Sequence, residues 1–551
     1  MNINFHNPSG KFLIDSVDLR QLTWPDPLIC DYCYNFERLE AFYVGSPITP
    51  TTLSKVIESR KSWETNKTHI GDIVTAQLQS RSAPPQALKA AEKLKERGTV
   101  AILTGQQAGL FGGPLFTLLK SLTAIALARQ VEKDYNVAAV PVFWIDAEDH
   151  DLDEIRTCDL LDNDFNLHQV DLKLPQMHSG QPAASVPLPD SITQTIETLY
   201  KILPKTEFSQ EIFEQLVKAY SPGTSLVEAF SRWLDIVLGP TGLVVFDSSD
   251  KTAKPLVRSI FTQELQSRGK VSGLATLAGK NLSALGYHSQ VNPRTDSVAI
   301  FHIDQTRRPV RLRDNEFEIE NTTWTTEQLI NEVQKSPGSF SPSVLLRPIV
   351  QDTLFPTIAY VAGPSELAYL GQLKQIYAEF KIPMPLVYPR LSATITDGAT
   401  MKFLKRYKVN FETLQNQDDG VLNQLLADNL PSDLDNIMKD TEQSIYHLLQ
   451  KIKTEVPLVD PTLTEAVQTT KKRIERDLQN LRSKIIKAAK RKNDTLQRQF
   501  YRARSLTFPK GKAQERNVAF LYFLNRYGPK LVDQLLANLP LKIGNHYLLS
   551  P

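Results

Sequence analysis

The sequence predicts an α/β fold, in which a parallel sheet is covered by helices on both faces, followed by an α-helical coiled-coil domain. Three observations support this prediction. Nearly continuous apolar segments alternate with helical patterns between residues 99 and 395, as in parallel sheets. Two of the connections between these segments are too long for a simple crossover and therefore indicate inserted connective subdomains. Beyond residue 396, two long amphipathic stripes have helical spacing.

Five short apolar segments are predicted as the strands of the sheet. In chain order they are "TVAILTG", "VAAVPVFWID", "TGLVVFDSSD", "TIAYVAGPSE" and "MPLVYPR". The segment "GPLFTLLKSLTAIALARQVE" places its leucines at helical spacing, and helical patterns also follow the third and fourth strands. Residues 1–98 are predicted to be mostly helical, with turns at "SPITPTT" and "SRSAPPQ".

The long connections and the change of pattern near residue 396 define the predicted domain limits. N-terminal helices and the first part of the core occupy 1–154, a first connective insertion 155–238, further core 239–269, a second insertion 270–345 and the rest of the core 346–395. A helical coiled-coil domain follows over 396–505, and a C-terminal helix over 506–551 packs back on the body.

The coiled-coil prediction rests on two apolar stripes separated by the turn "VPLVDP". The first stripe contains Ile437, Ile445, Leu448, Leu449, Ile452 and Val456, and the second contains Val467, Ile474, Leu478, Leu481, Ile485 and Ala488. Two such helices predict an antiparallel hairpin that could hold two copies of the chain together. The second helix is basic, and its charges could form a solvated face or bind an anion such as a nucleotide or nucleic acid.

The composition excludes several classes of protein. Three cysteines in 551 residues cannot form a disulfide framework, and a net charge of +2 favours no particular partner. Cys30 and Cys33 form a CxxC in an aromatic segment, where core packing is the alternative to redox or metal chemistry. No apolar run reaches the ~18 residues of a membrane span, and the N-terminus lacks a signal-peptide pattern. We therefore expect a cytoplasmic protein without a membrane partner.

The loop after the first strand, "TGQQAGLFGGP", is glycine-rich but matches neither the GxxxxGK[ST] nor the GxGxxG pattern. Gly105, Gly112 and Gly113 would let the backbone approach a ligand closely. Gln106 and Gln107 offer amide groups for a polar ligand. The helix that follows would point its N-terminus at an anion. A tight packing turn is the alternative to such a binding loop.

The loop after the second strand, "WIDAEDHDLDE", is acidic and contains one histidine. Neighbouring residues cannot all point at one metal ion and no second histidine lies nearby, which argues against a zinc or magnesium site. Asp149 and His150 are predicted to bind or deprotonate an amine, because imidazole titrates near neutral pH. A solvated acidic loop remains the alternative.

Two further candidates follow the fourth and fifth strands. Glu366, in "AGPSELAY", lies in the first turn of a predicted helix, where it could complement the helix dipole or face the ligand. Arg390, after "PLVYP", could bind a carboxylate or phosphate with two hydrogen bonds. A structural salt bridge is the alternative for Arg390.

Together these segments resemble the bacillithiol biosynthesis cysteine-adding enzyme family, also described as a cysteine ligase family. The resemblance spans most of the chain in order, through "TGQQAGLFGGPLFTLLK", "VPVFWIDAEDHDLDE", "GLVVFDSSD", "LRPIVQDTLFPTIAYVAGPSELAYLGQLK", "MPLVYPRLS" and "FPKGKAQERNVAFLYFLNRYGP". It implies a Rossmann-like core with connective insertions, broadly similar to class I aminoacyl-tRNA synthetases, and a coiled-coil domain that supports a homodimer. It also implies that L-cysteine is joined to the amine of glucosaminyl-malate, in the last step to bacillithiol.

The resemblance also bears on the cofactor, because an amide does not form from a free carboxylate in water without activation. ATP or another nucleotide is therefore the expected cofactor, and no tightly bound metal is expected. The chain lacks the paired-His signature and the Lys-Met-Ser-Lys-Ser loop of class I synthetases. The segment "PRLSAT" resembles that loop only in its position along the chain. The cleft beside the basic helix is a second candidate for the nucleotide.

The expected site combines the strand-end residues. Substrate or activated carboxylate would be bound by the loop residues Gly105, Gln106, Gln107, Gly112 and Gly113. Asp149 and His150 would orient and deprotonate the sugar amine. Glu366 and Arg390 would line the opposite wall, where Arg390 meets malate or phosphate. The alternatives are another ATP-dependent amide-forming ligase or nucleotidylyltransferase on the same core, and a non-catalytic coiled-coil scaffold. Nucleic acid is not an expected partner, because the basic charge is confined to one helix without an aromatic platform.

Overall fold

The computed structural model describes residues 12–61, 67–428 and 432–551. The chain divides into two units, of which the larger combines the residues up to Ile395 with Ala513–Pro551. The smaller unit is Thr396–Lys512. None of the helices in the described ranges is both long and apolar enough to cross a membrane.

The described part of the N-terminal segment is mostly helical, as predicted, and its first element is a strand, while residues 1–11 and 62–66 of that prediction lie outside the described residues. Its elements are β1 (Leu13–Asp18), α1 (Pro27–Tyr34), α2 (Pro50–Lys61), α3 (Lys67–Ser80) and α4 (Pro85–Lys93). α1 begins where the Asp26 side chain accepts a hydrogen bond from the Leu28 amide. The CxxC lies on this helix, and burial raises the pKa of the Cys33 thiol to about 12. A thiol with that pKa is not a nucleophile near neutral pH, and Cys33 packs as a core residue.

The first half of the core is a βαβ unit formed by β2 (Val100–Gln106), α5 (Leu115–Tyr135) and β3 (Ala139–Ile145). Both strands are buried along almost their whole length, which explains their nearly continuous apolar sequences. They pair in parallel from Val100↔Ala139 to Gln106↔Ile145, so their carboxyl ends lie at the same edge of the sheet.

The first inserted segment contains a β-hairpin and a group of helices. Its elements are α6 (Leu152–Ile155), β4 (Thr157–Leu161), β5 (Leu167–Asp171), α7 (Ile192–Ile202), α8 (Ser209–Ala219) and α9 (Leu226–Leu238). The Ser225 side chain caps α9 by accepting a hydrogen bond from the Glu228 amide. α9 buries Phe230 and Trp233, and the chain then returns to the core as β6 (Val244–Asp247), parallel to β3.

The second inserted segment contains an antiparallel sheet. It follows α10 (Arg258–Ser267), and its elements are α11 (Lys270–Ala284), β7 (Ser297–Ile303), β8 (Arg307–Arg313), β9 (Glu316–Ile319), β10 (Thr322–Trp324), α12 (Thr326–Lys335) and β11 (Phe340–Pro342). The strand order is β10-β9-β8-β7-β11. Thr325 and Gln328 form a capping box at the start of α12.

Glu264 on α10 is a fully buried carboxyl group, and its contacts in the described structure are hydrogen bonds to neutral groups. Its Oε1 accepts from the Ala299 amide at 2.9 Å, and its Oε2 accepts from the Ser267 hydroxyl at 3.2 Å. Burial raises the pKa of this carboxyl to about 7, because the two hydrogen bonds only partly compensate for the lost hydration.

Replacing Glu264 with glutamine should stabilise the protein above neutral pH. The pKa is about 7 in the folded chain and 4.5 for an ordinary glutamate, so the wild type loses up to ~3 kcal/mol of stability as the pH rises through this interval. Glutamine keeps an oxygen for the Ala299 amide and has no charge, so this loss should disappear. Urea denaturation at about pH 5 and pH 8 measures the effect, with the exposed Glu327→Gln as the control. Equal pH dependence in wild type and Glu264→Gln would contradict the prediction.

The rest of the core completes the parallel sheet. Its elements are α13 (Arg347–Leu354), β12 (Thr357–Ala362), α14 (Pro364–Leu370), α15 (Lys374–Glu379), β13 (Leu386–Pro389) and β14 (Ser392–Ile395). The strand order of the central sheet is β13-β12-β2-β3-β6, and every neighbouring pair is parallel. All five predicted strands are therefore confirmed. The chain moves outward from β2 to β6 and then restarts on the other side at β12, which creates a crevice between β2 and β12.

The smaller unit is helical, which confirms the predicted helical C-terminal part. It contains α16 (Gly398–Tyr407), α17 (Gly420–Asp428), α18 (Ser432–Glu455), α19 (Leu463–Lys492) and α20 (Asp494–Thr507). α18 and α19 are the two predicted long helices, joined through a short turn at Val456–Leu458. They lie side by side, with the Lys471 ammonium 4.9 Å from the centre of the Tyr446 ring.

The C-terminal segment belongs to the larger unit and ends in a strand that the sequence did not predict. Its elements are α21 (Gln514–Asn517), α22 (Phe520–Tyr527), α23 (Lys530–Asn538) and β15 (Asn545–Ser550). β15 lies between β1, to which it is antiparallel, and β14, to which it is parallel. A purely helical C-terminal segment was therefore the wrong prediction, because the partners of β15 are distant in sequence and leave no local pattern.

Candidate active site

A cavity of about 400 Å³ lies at the carboxyl ends of β2, β3 and β12, at the crevice where the strand order reverses. One side consists of strand-end residues, and another consists of residues from the antiparallel sheet of the second insertion. The lining residues are Gly105, Gln106, Gln107, Trp144, Asp146, Asp149, Phe301, Arg307, Pro342, Ser343, Val344, Arg347, Tyr360, Glu366 and Tyr369. Five of the predicted site residues therefore meet here: Gly105, Gln106, Gln107, Asp149 and Glu366.

The end of β2 contributes one glycine and two glutamines to the cavity. A Cβ atom on Gly105 would lie 2.6 Å from the Trp144 carbonyl oxygen, so the close approach of β2 and β3 requires glycine here. The Gln107 amide group donates a hydrogen bond to Asp149 Oδ2, and Gln106 Oε1 accepts one from Lys120 Nζ at 3.3 Å. Both glutamines thus connect the loop to charged groups of the site.

The turn after β3 positions Asp149 in the cavity and His150 beside it. Asp149 Oδ1 accepts hydrogen bonds from the backbone amides of His150 at 2.7 Å and Asp151 at 3.3 Å, which fixes the carboxylate. The His150 Nδ1 atom is 3.7 Å from Asp149 Oδ1, too far for a hydrogen bond. The predicted carboxylate–imidazole pair is therefore adjacent but is not joined through its side chains, because consecutive turn residues point in different directions.

Glu366 lies in the first turn of α14, where it both caps the helix and faces the cavity. Its Oε2 accepts a hydrogen bond from the Gly363 amide at 2.7 Å, which caps the helix. The same oxygen is 2.5 Å from Lys120 Nζ, and Oε1 accepts a hydrogen bond from the Tyr360 hydroxyl at 2.7 Å. Glu366 therefore faces the cavity and also completes the helix terminus.

Lys120 is the counter-ion of Glu366 and comes from the middle of α5. Its side chain is 1% exposed, and Nζ also donates to the Gly105 carbonyl. Burial raises the pKa of Glu366, but the Lys120 charge and the hydrogen bonds outweigh this effect and lower it overall, so the carboxylate is ionised near neutral pH. One buried ion pair therefore ties β2, α5 and α14 together at the cavity.

Asp146 is a cavity carboxyl whose pKa is raised above the ordinary value. Burial raises its pKa, although the positive charges of Arg347 and Arg307 act in the opposite direction. A carboxyl with a raised pKa in a cavity is a candidate proton acceptor or donor. The sequence placed Asp146 in the acidic loop but did not select it as a site residue.

Two protein-family models together match almost the whole chain. The model described as "Bacillithiol biosynthesis BshC, N-terminal Rossmann-like domain" matches residues 14–391. The model described as "Bacillithiol biosynthesis BshC, C-terminal coiled-coil domain" matches residues 393–551. The chain belongs to the bacillithiol biosynthesis BshC family.

Curated relatives extend the similarity to BshC proteins over both units. A protein of Salinibacter ruber is 31% identical over 517 residues, which cover 93% of this chain and 94% of the relative. A protein of Chlorobaculum tepidum is 32% identical over 487 residues, which cover 84% and 85%. A protein of Halalkalibacterium halodurans is 26% identical over 529 residues, which cover 94% and 97%. All three carry the name "Putative cysteine ligase BshC".

Arg390 is not among the residues that line the cavity, contrary to the predicted placement. Its two terminal nitrogens donate to Glu515 at 2.8 and 3.0 Å, and both side chains are almost fully buried. Its charge is therefore already paired within the protein. The structural salt bridge, which was the alternative for Arg390, is what its contacts describe.

Gly112 and Gly113 also lie away from the cavity, against the C-terminal segment. A Cβ atom on Gly112 would lie 2.3 Å from the Phe520 ring, and the Gly113 carbonyl accepts a hydrogen bond from the Phe520 amide at 3.2 Å. The Leu115 amide, at the start of α5, donates to the Val518 carbonyl at 2.8 Å. This end of the glycine loop is a packing turn, and the first amide of α5 is already bonded and is not available to an anion.

Several residues that line or support the cavity were not predicted from the sequence. One of them had a local signal, because Lys120 is the lone charge in the apolar stretch "LFTLLKSLTAIALA". Arg307 and Phe301 had none, since only the folding of the second insertion brings them to the strand ends. In the ranges described, no group of three or more His, Cys, Asp or Glu side chains is arranged to hold a metal ion.

Proposed function

We propose that this protein is a cysteine ligase that joins L-cysteine to the amine of glucosaminyl-malate in the last step of bacillithiol biosynthesis. The observation that supports it best is the cavity at the sheet switch point, which carries carboxylates and arginines together in a BshC-family chain. Such a cavity suits one substrate with an amine and another with a carboxylate. The proposed reaction takes place in the cytoplasm.

The reaction requires a neutral amine and an activated carboxyl carbon. The amine nitrogen forms a bond to that carbon, the activating group leaves with the bonding electrons, and the proton of the nitrogen passes to a base. Asp149 is held by Gln107 and two backbone amides, and it would bind the ammonium group of the substrate. His150 at the edge of the turn would receive the proton, since a neutral imidazole nitrogen can act as a general base.

Activation of the carboxylate would come from ATP or another nucleotide. The N-terminus of α5 is a poor site for the nucleotide phosphates, because the Leu115 amide already donates a hydrogen bond to the Val518 carbonyl. The basic helix α19 remains a candidate surface for the nucleotide, within the smaller unit. The exposed apolar side chains of α18, Ile437, Leu448 and Ile452, support a homodimer formed through this hairpin.

A reconstituted assay tests the proposed function. The purified chain is incubated with glucosaminyl-malate, L-cysteine and ATP, and product is followed by mass spectrometry, while the low-molecular-weight thiols of a deletion strain are profiled in parallel. We expect glucosaminyl-malate to accumulate and bacillithiol to vanish in the deletion strain. An unchanged thiol pool would overturn the proposal and favour a different amine and carboxylate pair.

Replacing Asp149 with asparagine should lower the rate of product formation by about 100-fold or more, because the amide cannot neutralise an ammonium or assist its deprotonation. The matched control is Asp153→Asn, on the same acidic segment, whose side chain is 86% exposed. Thermal denaturation should give similar midpoints for both variants. Equal rates in the two variants would remove Asp149 from the proposed mechanism.

A further inference from the structure

Arg347 is a cavity-lining cation whose hydrogen-bond partners, in the ranges that the structure describes, are neutral, although Asp146 and Glu366 lie near enough to act on its charge. It is the first residue of α13 and is 7% exposed. Its guanidinium donates to Gln351 Oε1 at 3.2 Å and to the Tyr369 hydroxyl. A buried charge without a counter-ion is costly and is normally paired. The cavity next to Arg347 is therefore a place where an anionic ligand would be favourable.

Arg307, the first residue of β8, presents a second guanidinium to the same cavity. Its Nε donates to the Ser341 hydroxyl at 3.0 Å, and a terminal nitrogen donates to the Pro342 carbonyl at 2.7 Å. The guanidinium also lies 4.0 Å from the centre of the Phe301 ring. The Asp149 carboxylate is 3.9 Å away, beyond hydrogen-bonding distance. These contacts hold the guanidinium in place without neutralising it through a direct hydrogen bond.

The carboxylates of the cavity are mostly engaged elsewhere. Glu366 is bonded to Lys120, Tyr360 and the Gly363 amide. Asp149 is bonded to Gln107 and to backbone amides. The positive charges of both arginines act to lower the pKa of Asp146, but the described structure shows no hydrogen bond between Asp146 and either guanidinium. Both guanidinium groups therefore keep N–H donors that a ligand could use, while Asp149 and Asp146 balance part of their charge.

We propose that Arg307 and Arg347 form a subsite that binds a carboxylate of the substrate. Guanidinium groups present two parallel N–H donors that match the two oxygens of a carboxylate, and two of them suit a small dicarboxylate particularly well. The cavity of about 400 Å³ has room for such a group. The choice of ligands rests on the proposed function, which offers two sources of carboxylate: the malyl group and the cysteine carboxylate.

Calorimetric titration of the full chain, without nucleotide or turnover, tests this subsite. The probes are L-malate, L-cysteine, dimethyl L-malate and inorganic phosphate. We expect L-malate to bind the wild type, Arg347→Gln and Arg307→Gln each to weaken it at least ten-fold, and dimethyl L-malate not to bind. Arg313→Gln is the matched control, because Arg313 lies on the same strand as Arg307 and its side chain is 63% exposed.

Each result decides between specific outcomes. If L-cysteine displaces L-malate from the wild type, and both arginine variants lose cysteine binding, the subsite binds the amino acid carboxylate. If L-cysteine and L-malate bind independently of each other, the subsite binds the malyl group. Unchanged affinity in both variants, no binding of either acid to the wild type, or tighter binding of phosphate than of malate would overturn the carboxylate subsite. Circular dichroism checks the fold, and Arg347→Lys keeps the charge but removes the fork, so it should restore only part of the affinity.

The failure of this subsite can be distinguished from failure of the proposed function. Loss of malate binding in Arg347→Gln together with a negative ligase assay would keep the subsite and reject the reaction. Ligase activity with unchanged Arg347→Gln binding would keep the reaction and reject the subsite.

Discussion

Replacing Lys120 with methionine is expected to lower formation of the proposed product, bacillithiol, by about 100-fold in a deletion strain complemented with the variant. Methionine fills similar space in α5, but it removes the ammonium that joins Glu366, Gln106 and the Gly105 carbonyl. The end of β2 and the first turn of α14 would then lose their shared cation. Since both segments line the cavity, the groups that face the substrate would shift from their positions.

The pH dependence separates this positioning role from a loss of stability alone. The Lys120 charge helps to hold the pKa of Glu366 below its usual range, so in Lys120→Met the carboxyl should take up a proton at higher pH. The residual activity of the variant should therefore fall at a higher pH on the acidic side than wild-type activity does. The double variant Lys120→Met/Glu366→Gln removes both charges and should regain stability without regaining activity.

Lys133→Met is the control for the helix itself, because Lys133 lies on α5 but is exposed. It should leave thiol production and the pH profile unchanged. Wild-type production by Lys120→Met at every pH would show that the buried ion pair has no part in positioning the site.

The sequence predicted the sheet well because each strand has a strong local signal. β2, β3 and β12 are buried on both faces, so each reads as a continuous apolar run that ends in polar residues. Parallel strands bring those ends to one edge. For that reason Gln106, Asp149 and Glu366, which are far apart in sequence, lie around one cavity.

What the sequence could not predict depends on contacts between distant segments. Arg307 reaches the strand ends only because the antiparallel sheet of the second insertion folds beside them, and no local pattern encodes that placement. Arg390 resembled a ligand-binding residue because its partner, Glu515, comes from the far end of the chain. Gly112 is explained only by the Phe520 ring beside it. A polar residue at a strand end was thus a more reliable sign of where its side chain lies than of whether it binds a ligand.

Removing the charge of Glu515 should have a large effect on stability. Its carboxylate accepts hydrogen bonds from the Arg390 guanidinium, the Ser392 hydroxyl and the Ala393 amide, and it is 2% exposed. Burial raises its pKa, but Arg390 outweighs that effect and lowers it overall. Glu515→Gln would leave the buried Arg390 charge unpaired, which should cost about 3–5 kcal/mol of unfolding free energy.

The acid response of the wild type gives the second test of this cluster. Because the pKa of Glu515 is lower in the folded chain than its usual 4.5, the stability it contributes is present above that value and is lost as the pH falls below it. His546, which bonds to Ser392 and Thr394, is buried as the neutral form with a pKa of about 4, so its protonation also destabilises the fold as the pH falls from 6.5 towards 4. Urea denaturation of wild type and Glu515→Gln at about pH 7 and pH 4 should therefore show a difference that shrinks in acid. Glu412→Gln in the smaller unit is the control, and a difference that does not change with pH would mean that Glu515 stabilises the fold by packing rather than by its charge.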